Sequence, residues 1–134
     1  MIVLTASCVF AVLAGLLHVL IFVLESFRWT ETNTMKTFSI ISTEEAEATK
    51  EMAYNQGFYN LFLGIMAAAG AIITLLGQQA QQTVGITLMV AGTASMVLAA
   101  LVLFTGSPDK RAAAVKQFTL PALSLVFLII SALL

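Results

Sequence analysis

The sequence carries little charge for its length. Only 10% of its 134 residues are Asp, Glu, Lys or Arg, whereas 60% are hydrophobic. A soluble domain normally contains about a quarter charged residues, and a globule of this size could not bury so much apolar surface away from water. We therefore expect lipid, rather than water, to surround most of the chain.

Cysteine and histidine each occur only once, which excludes several kinds of site. Cys8 alone can form neither an internal disulfide nor a multi-cysteine metal site. His18 and Glu25 lack the one-turn spacing that is typical of helical metal ligands, so we expect no metal and no other cofactor. The net charge of −1 and the absence of a basic patch argue against a nucleic-acid partner.

Long apolar runs dominate the chain, and four of them could each cross a hydrocarbon core of about 30 Å as a helix. Backbone groups in lipid must bond to one another, which favours helices. We predict an all-α integral membrane four-helix bundle that forms one transmembrane domain over residues 1–134. The first run lacks the basic start and clear cleavage site of a signal peptide, so we expect it to be retained. The predicted spans are residues 2–24, 57–76, 84–105 and 118–134.

Polar residues predict that two helices begin before their apolar runs. Ser42 and Glu45 have capping-box spacing, which predicts a helix from about Thr43 into the second span, with its first turns in the cytoplasm or at the headgroups. Ser107 before Pro108 has the pattern of another helix start, with Ser as the cap and Pro at the first helical position.

The basic residues predict the orientation of the chain. All of them fall in the first and third connections, whereas the short middle link and the C-terminus contain none. The positive-inside rule places the basic connections in the cytoplasm, so we expect both termini to face outward from a plasma (inner) membrane that the chain crosses several times. The six basic residues are Arg28, Lys36, Lys50, Lys110, Arg111 and Lys116.

Two helices carry polar residues on a face that otherwise contains mainly small side chains. The first span has a stripe of Ala11, Gly15, His18, Phe22 and Glu25 at helical spacing, and the second has Gln56, Asn60, Gly64, Ala67 and Ala71. Such faces suit close helix packing with the polar groups turned inward. If the two helices are adjacent, we expect a polar cleft lined by His18, Glu25, Gln56, Tyr59 and Asn60, with Trp29, Tyr54 and Asn55 at its mouth.

Each of these residues also has a purely structural interpretation. His18 could bond a carbonyl or hydroxyl at a helix contact, although ionisable groups inside membranes are functional candidates by default. Glu25 lies at a helix end, where headgroup water could solvate it. The amides of Gln56 and Asn60 could serve only helix association, and aromatic side chains at this depth commonly anchor a helix at the interface.

The chain resembles domain-of-unknown-function family 1304. The resemblance rests on His18, Glu25 and Trp29, on residues 46–50 (AEATK), and above all on the block NQGFYNLFL at residues 55–63. It extends over nearly the whole chain, with the second half similar mainly in hydropathy and length. The resemblance implies a small membrane protein with four spans, but no established activity.

The sequence is compatible with three functional hypotheses, and it does not decide whether the protein is an enzyme. The favoured one is a transporter or channel for a small solute or ion, formed as a homo-oligomer, because a fixed orientation and inward ionisable groups suit vectorial movement. The second is a membrane enzyme or binding protein for a lipid-like or isoprenoid molecule, with His18 and Glu25 as acid and base. The third is a structural accessory subunit.

Overall fold

A computed structural model describes all 134 residues, and helices are the only regular secondary structure in the chain. Four long helices are joined by a short helix, a three-residue 3-10 turn at Pro108–Lys110, and loops. The helices are α1 (Ile2–Phe27), α2 (Thr32–Thr37), α3 (Thr43–Leu76), α4 (Gln79–Gly106) and α5 (Arg111–Leu133).

The four long helices are each long and apolar enough to cross a membrane, which confirms the predicted all-α four-helix membrane bundle. Helix α1 packs against α3 and α5, and α4 packs against the same two helices, so α1 and α4 lie diagonally across the bundle. Successive long helices run in opposite directions. As a result, all six basic residues lie at one end, which we call the basic end, and both termini and the middle link lie at the opposite end.

Small residues bring α1 and α3 into direct backbone contact. A Cβ atom added to Gly15 would lie 2.8 Å from the carbonyl oxygen of Gly64, which no real side chain tolerates. Cys8 and Ala11 of α1 pack with Ala71 of α3 in the same contact zone, and all three are fully buried. Because lipid tails are as apolar as leucine, helices in a membrane gain from such close van der Waals contact rather than from hydrophobic burial.

Hydrogen bonds join α1 and α5 near the opposite end. The Ser7 hydroxyl donates to the Ser124 carbonyl oxygen at 2.8 Å, and the Ser124 hydroxyl donates to the Ser7 carbonyl oxygen at 3.0 Å. Both residues are buried. This reciprocal pair satisfies polar groups that would otherwise face hydrocarbon, and it ties α1 to α5 near the opposite end.

The predicted start of α3 is observed, with one change in its cap. The Ser42 hydroxyl accepts a hydrogen bond from the Glu45 amide at 3.1 Å, and α3 then runs unbroken to Leu76. The Glu45 carboxylate accepts from the Ile41 amide at 3.0 Å, one residue before the expected partner. At the start of α5, Pro108 occupies the first position of the 3-10 turn, but the Ser107 side chain makes no capping bond.

Candidate functional site

A cavity of about 590 Å³ lies at the basic end, between the four long helices and the first connection. Its size falls within the usual range of about 300–1,000 Å³ for pockets that hold small molecules. Small side chains leave the space open, since α4 contributes Ala99 and α5 contributes Ala113 to the wall. The larger apolar lining residues are Leu17, Leu20, Ile21, Leu24, Trp29, Phe38, Ile40, Met52, Leu63 and Leu103, and the charged or amide-bearing ones are Glu25, Glu45, Gln56, Asn60, Lys110, Lys116 and Gln117.

The innermost polar feature of the cavity is a hydrogen bond between α1 and α3. The Asn60 side-chain amide donates to the Glu25 carboxylate at 2.7 Å, and Glu25 is only 4% exposed. Side chains on a helix lean toward its N-terminus. Glu25 therefore reaches into the bundle while Asn60, on the antiparallel helix, reaches back toward the basic end, and the two groups meet.

His18 is buried but does not line the cavity. Its Nδ1 lies 2.9 Å from the Ala14 carbonyl oxygen one turn earlier in the same helix. A carbonyl can only accept, so Nδ1 carries the proton in this bond. Across the helix contact, His18 lies beside Gly64, which is one turn beyond Asn60. The structure thus joins Asn60 to Glu25 rather than to His18, and His18 lies deeper in the bundle.

The first connection forms part of the cavity wall at the basic end. The Trp29 indole nitrogen donates to the Thr49 hydroxyl at 3.0 Å, and the Trp29 ring packs on Phe38 with 5.2 Å between ring centroids. The Ser39 hydroxyl in turn donates to the Asp109 carbonyl oxygen at 3.4 Å, which links the first and third connections. Trp29 therefore forms part of the cavity wall at the basic end.

The remaining predicted residues divide into two groups. Gln56 and Tyr59 line the cavity with exposed side chains. Tyr54 and Asn55 are exposed but do not line it. Tyr54 instead packs edge-on against Phe27, at 6.4 Å between ring centroids, on the outer surface of the bundle.

Sequence reasoning missed two cationic residues of the wall, Lys110 and Lys116. Together with Ala113 they recur every three residues, which places them on one face of the α5 entrance. Arg111 lies on another face, where it donates to the Phe104 carbonyl oxygen at 3.1 Å and stacks over the Phe104 ring. The helical spacing of the two lysines was available in the sequence, but the direction in which their shared face points was not.

Other charged groups at the basic end form local pairs away from the cavity. Arg28 and Glu31 form an ion pair of 2.7 Å, and the hydrogen bonds donated by Arg28 hold the pKa of the Glu31 carboxyl below its usual range. Lys50 lies 3.7 Å from Glu47.

No group of three or more His, Cys, Asp or Glu side chains is arranged to hold a metal ion.

Together, the fold and the cavity define a small four-span membrane protein with a largely apolar pocket at the basic end and a carboxyl–amide pair inside it. The chain belongs to the family described as "Protein of unknown function (DUF1304)", which matches residues 12–129 and so includes the whole pocket. No curated protein and no solved structure matches the chain.

Proposed function

We propose that the protein binds a lipid-like small molecule in the cavity at the basic end. The observation that carries this proposal is the combination of an apolar wall, a volume of about 590 Å³ and the buried Glu25–Asn60 pair. Ligand sites in proteins are typically apolar pockets with a few polar groups that orient the ligand. In this proposal the ligand reaches the site from the surrounding bilayer.

The packing of the other half of the bundle favours binding over conduction through a single chain. Cys8, Ala11, Ala71 and Met89 form a cluster with no exposed surface between the cavity and the opposite end. An ion or solute entering from the basic end would meet this cluster and stop. A pocket closed at one end suits a ligand that enters and leaves by the same side.

The arrangement of the ionisable groups supports binding more than acid–base chemistry. An enzyme of the kind expected from the sequence needs His18 and Glu25 on either side of one substrate. His18 lies outside the cavity wall and bonds its own helix backbone. Glu25 is therefore the only one of the two that a molecule in the cavity would touch, and it is an orienting group in this proposal.

The test is to purify the protein in a mild detergent and to measure bound small molecules by native mass spectrometry. Ala113→Phe fills the cavity from its wall, whereas Ala112→Phe adds the same ring at an exposed neighbour that does not line the cavity. We expect a retained small molecule in the unmodified protein and in Ala112→Phe, and its loss in Ala113→Phe. Equal retention in both variants, or no bound molecule in any sample, would contradict the proposal.

Transport of a small solute or ion by a homo-oligomer is the second candidate. It is supported by the polar side chains that continue inward from the cavity, first the Glu25–Asn60 pair and then His18. Ionisable residues at such depth form proton relays in transporters. A pH-dependent flux into liposomes that disappears in His18→Ala would favour transport, and flux equal to that of empty liposomes would count against it.

A further inference from the structure

We propose that the ligand is a single-chain amphiphile with an anionic headgroup, taken from the surrounding bilayer, whose headgroup binds Lys110 and Lys116. This inference rests on the proposed binding function and names its ligand class. It follows from the charges that line the cavity and from the partners that those charges already have.

The apolar wall cannot by itself select a ligand from the membrane. A hydrocarbon tail that moves from lipid into the cavity exchanges one apolar environment for another, so the hydrophobic effect contributes little to the transfer. Selectivity must therefore come from the polar groups of the wall. These groups are the carboxyl–amide pair at depth and the charged residues at the basic end.

The two carboxylates of the wall already have hydrogen-bond partners. Glu25 accepts from the Asn60 amide at 2.7 Å, and Glu45 accepts from the Ile41 backbone amide at 3.0 Å. Lys110 and Lys116, by contrast, have no carboxylate within 4.0 Å, because the ion pairs of the chain are Arg28–Glu31 and Lys50–Glu47. Lys110 and Lys116 are thus the charged groups of the wall that have neither a hydrogen-bond partner nor an ion-pair partner, and an anion is the ligand that would supply one.

The lysines and the leucines of the wall lie at opposite ends of the cavity, as the headgroup and the tail of an amphiphile do. Lys110 lies in the 3-10 turn before α5, and Lys116 lies one and a half turns into that helix, so both ammonium groups lie toward the basic end of the cavity. Leu17, Leu20 and Leu63 line the part nearer the bundle centre. A headgroup between the lysines would leave its tail among these leucines, and a cavity of about 590 Å³ suits one drug-sized molecule rather than a two-chain lipid.

Trp29 provides a direct reporter for the test, because it is the only tryptophan in the chain and lines the cavity. The protein is placed in phosphatidylcholine nanodiscs at alkaline pH and titrated with a dibrominated fatty acid or with its methyl ester, and bromine quenching of Trp29 fluorescence is recorded. The two probes share a tail and differ only in charge. Concentrations are expressed as mole fraction in the lipid, so that different partitioning into the bilayer does not affect the comparison.

We expect quenching by the acid to half-saturate at a mole fraction at least about tenfold lower than quenching by the ester, since one charge-assisted hydrogen bond is worth about that factor. The double variant Lys110→Gln/Lys116→Gln should lose this preference, and Lys110→Arg/Lys116→Arg should retain it. Arg111→Gln removes a neighbouring cation that faces away from the cavity and should change the affinity by less than about threefold.

The remaining outcomes separate the ligand class from the binding function. Saturable quenching of equal strength by acid and ester, unchanged in the lysine variants, would overturn the anionic ligand while leaving the binding pocket in place. An equal loss of acid preference in Arg111→Gln would also overturn it, because the effect would then be one of surface charge. Quenching by both probes that rises without saturation would overturn the binding proposal itself.

Discussion

At the scale of single residues, the Glu25–Asn60 hydrogen bond connects the packing of α1 and α3 to the chemistry of the cavity. Asn60→Leu removes the donor and leaves the buried Glu25 carboxyl without its partner, which we expect to cost about 1 kcal/mol or more. Glu25→Gln should cost less, since the glutamine carbonyl can still accept from Asn60. Unfolding of the detergent-solubilised protein measures both.

The matched control for this prediction is Asn55→Leu. Asn55 is exposed and makes no side-chain hydrogen bond, although it lies on the same helix only five residues earlier. Its replacement should leave the free energy of unfolding nearly unchanged. Equal destabilisation by Asn55→Leu and Asn60→Leu would mean that the hydrogen bond to Glu25 does not stabilise the bundle.

Ser39 is the only non-glycine residue with positive φ, at 57°. It follows α2 in a Schellman arrangement, in which the Ile40 amide donates to the Met35 carbonyl oxygen at 2.9 Å. This conformation costs an L-residue roughly 1–2 kcal/mol. Serine already bears this cost, so we expect Ser39→Val to destabilise the first connection further, because β-branched residues are the least tolerant of positive φ. Ser39→Gly should be neutral or slightly stabilising, and proteolysis of the 28–42 segment measures both. Faster cleavage of Ser39→Gly than of Ser39→Val would contradict this.

At this scale, part of the polar cavity lining could be predicted from the sequence. Glu25, Gln56, Tyr59 and Asn60 lie at one cavity because helical spacing puts the last three on adjoining faces of α3 and antiparallel packing brings Glu25 to the same level. The position of His18 was not predictable in the same way. Its ring turns along its own helix to the Ala14 carbonyl oxygen, and the choice of such a side-chain rotamer leaves no signal in helical spacing.

At the scale of helices, glycine determines how closely α3 and α4 pack. A Cβ added to Gly70 would contact the Met89 backbone nitrogen and lie 2.7 Å from the Gly85 carbonyl oxygen, and neither backbone atom can move cheaply. Gly70→Ala should therefore destabilise the bundle by about 1–3 kcal/mol through overpacking. The free energy of unfolding in detergent is the measurement.

Gly106 provides the control for this prediction. It is the last residue of α4, and an added Cβ there would meet nothing within 4 Å. Gly106→Ala should be neutral, or stabilising by up to about 1 kcal/mol because alanine favours the helix. If Gly106→Ala destabilised as much as Gly70→Ala, close packing between α3 and α4 would not be the cause.

The helices themselves were largely predictable, but some of their limits and one short helix were not. An apolar run shows only the part of a helix that lies in hydrocarbon, because the helical hydrogen bonds of the backbone continue into the polar residues on either side. Helix α4 therefore begins at Gln79, five residues before the predicted span of residues 84–105. Helix α2 has only six residues, too few for a stable helix alone. The burial of Thr34 and the packing of Phe38 on Trp29 hold it, and such tertiary contacts leave no periodic signal in a segment so short.

At the scale of the whole molecule, the orientation in the membrane decides which compartment the cavity faces. Arg28, Lys36, Lys50, Lys110, Arg111 and Lys116 all lie at the basic end. Because basic connections remain in the cytoplasm, we predict that the cavity opens there and that both termini face outward. The lysines proposed to hold a headgroup would then lie at the cytoplasmic leaflet, so the prediction also states from which leaflet the ligand enters.

Single cysteines test this orientation directly in a Cys8→Ser background. Gln79→Cys places a thiol in the middle link, and Asn33→Cys places one in α2 at the basic end; both positions are exposed. A membrane-impermeant maleimide should label Gln79→Cys in intact cells and Asn33→Cys only after lysis. The reverse pattern would move the cavity to the outer face, and labelling of both in intact cells would mean that the chain inserts in two orientations. Because all six basic residues lie on one side, their charge bias opposes a second orientation, and we expect a single one.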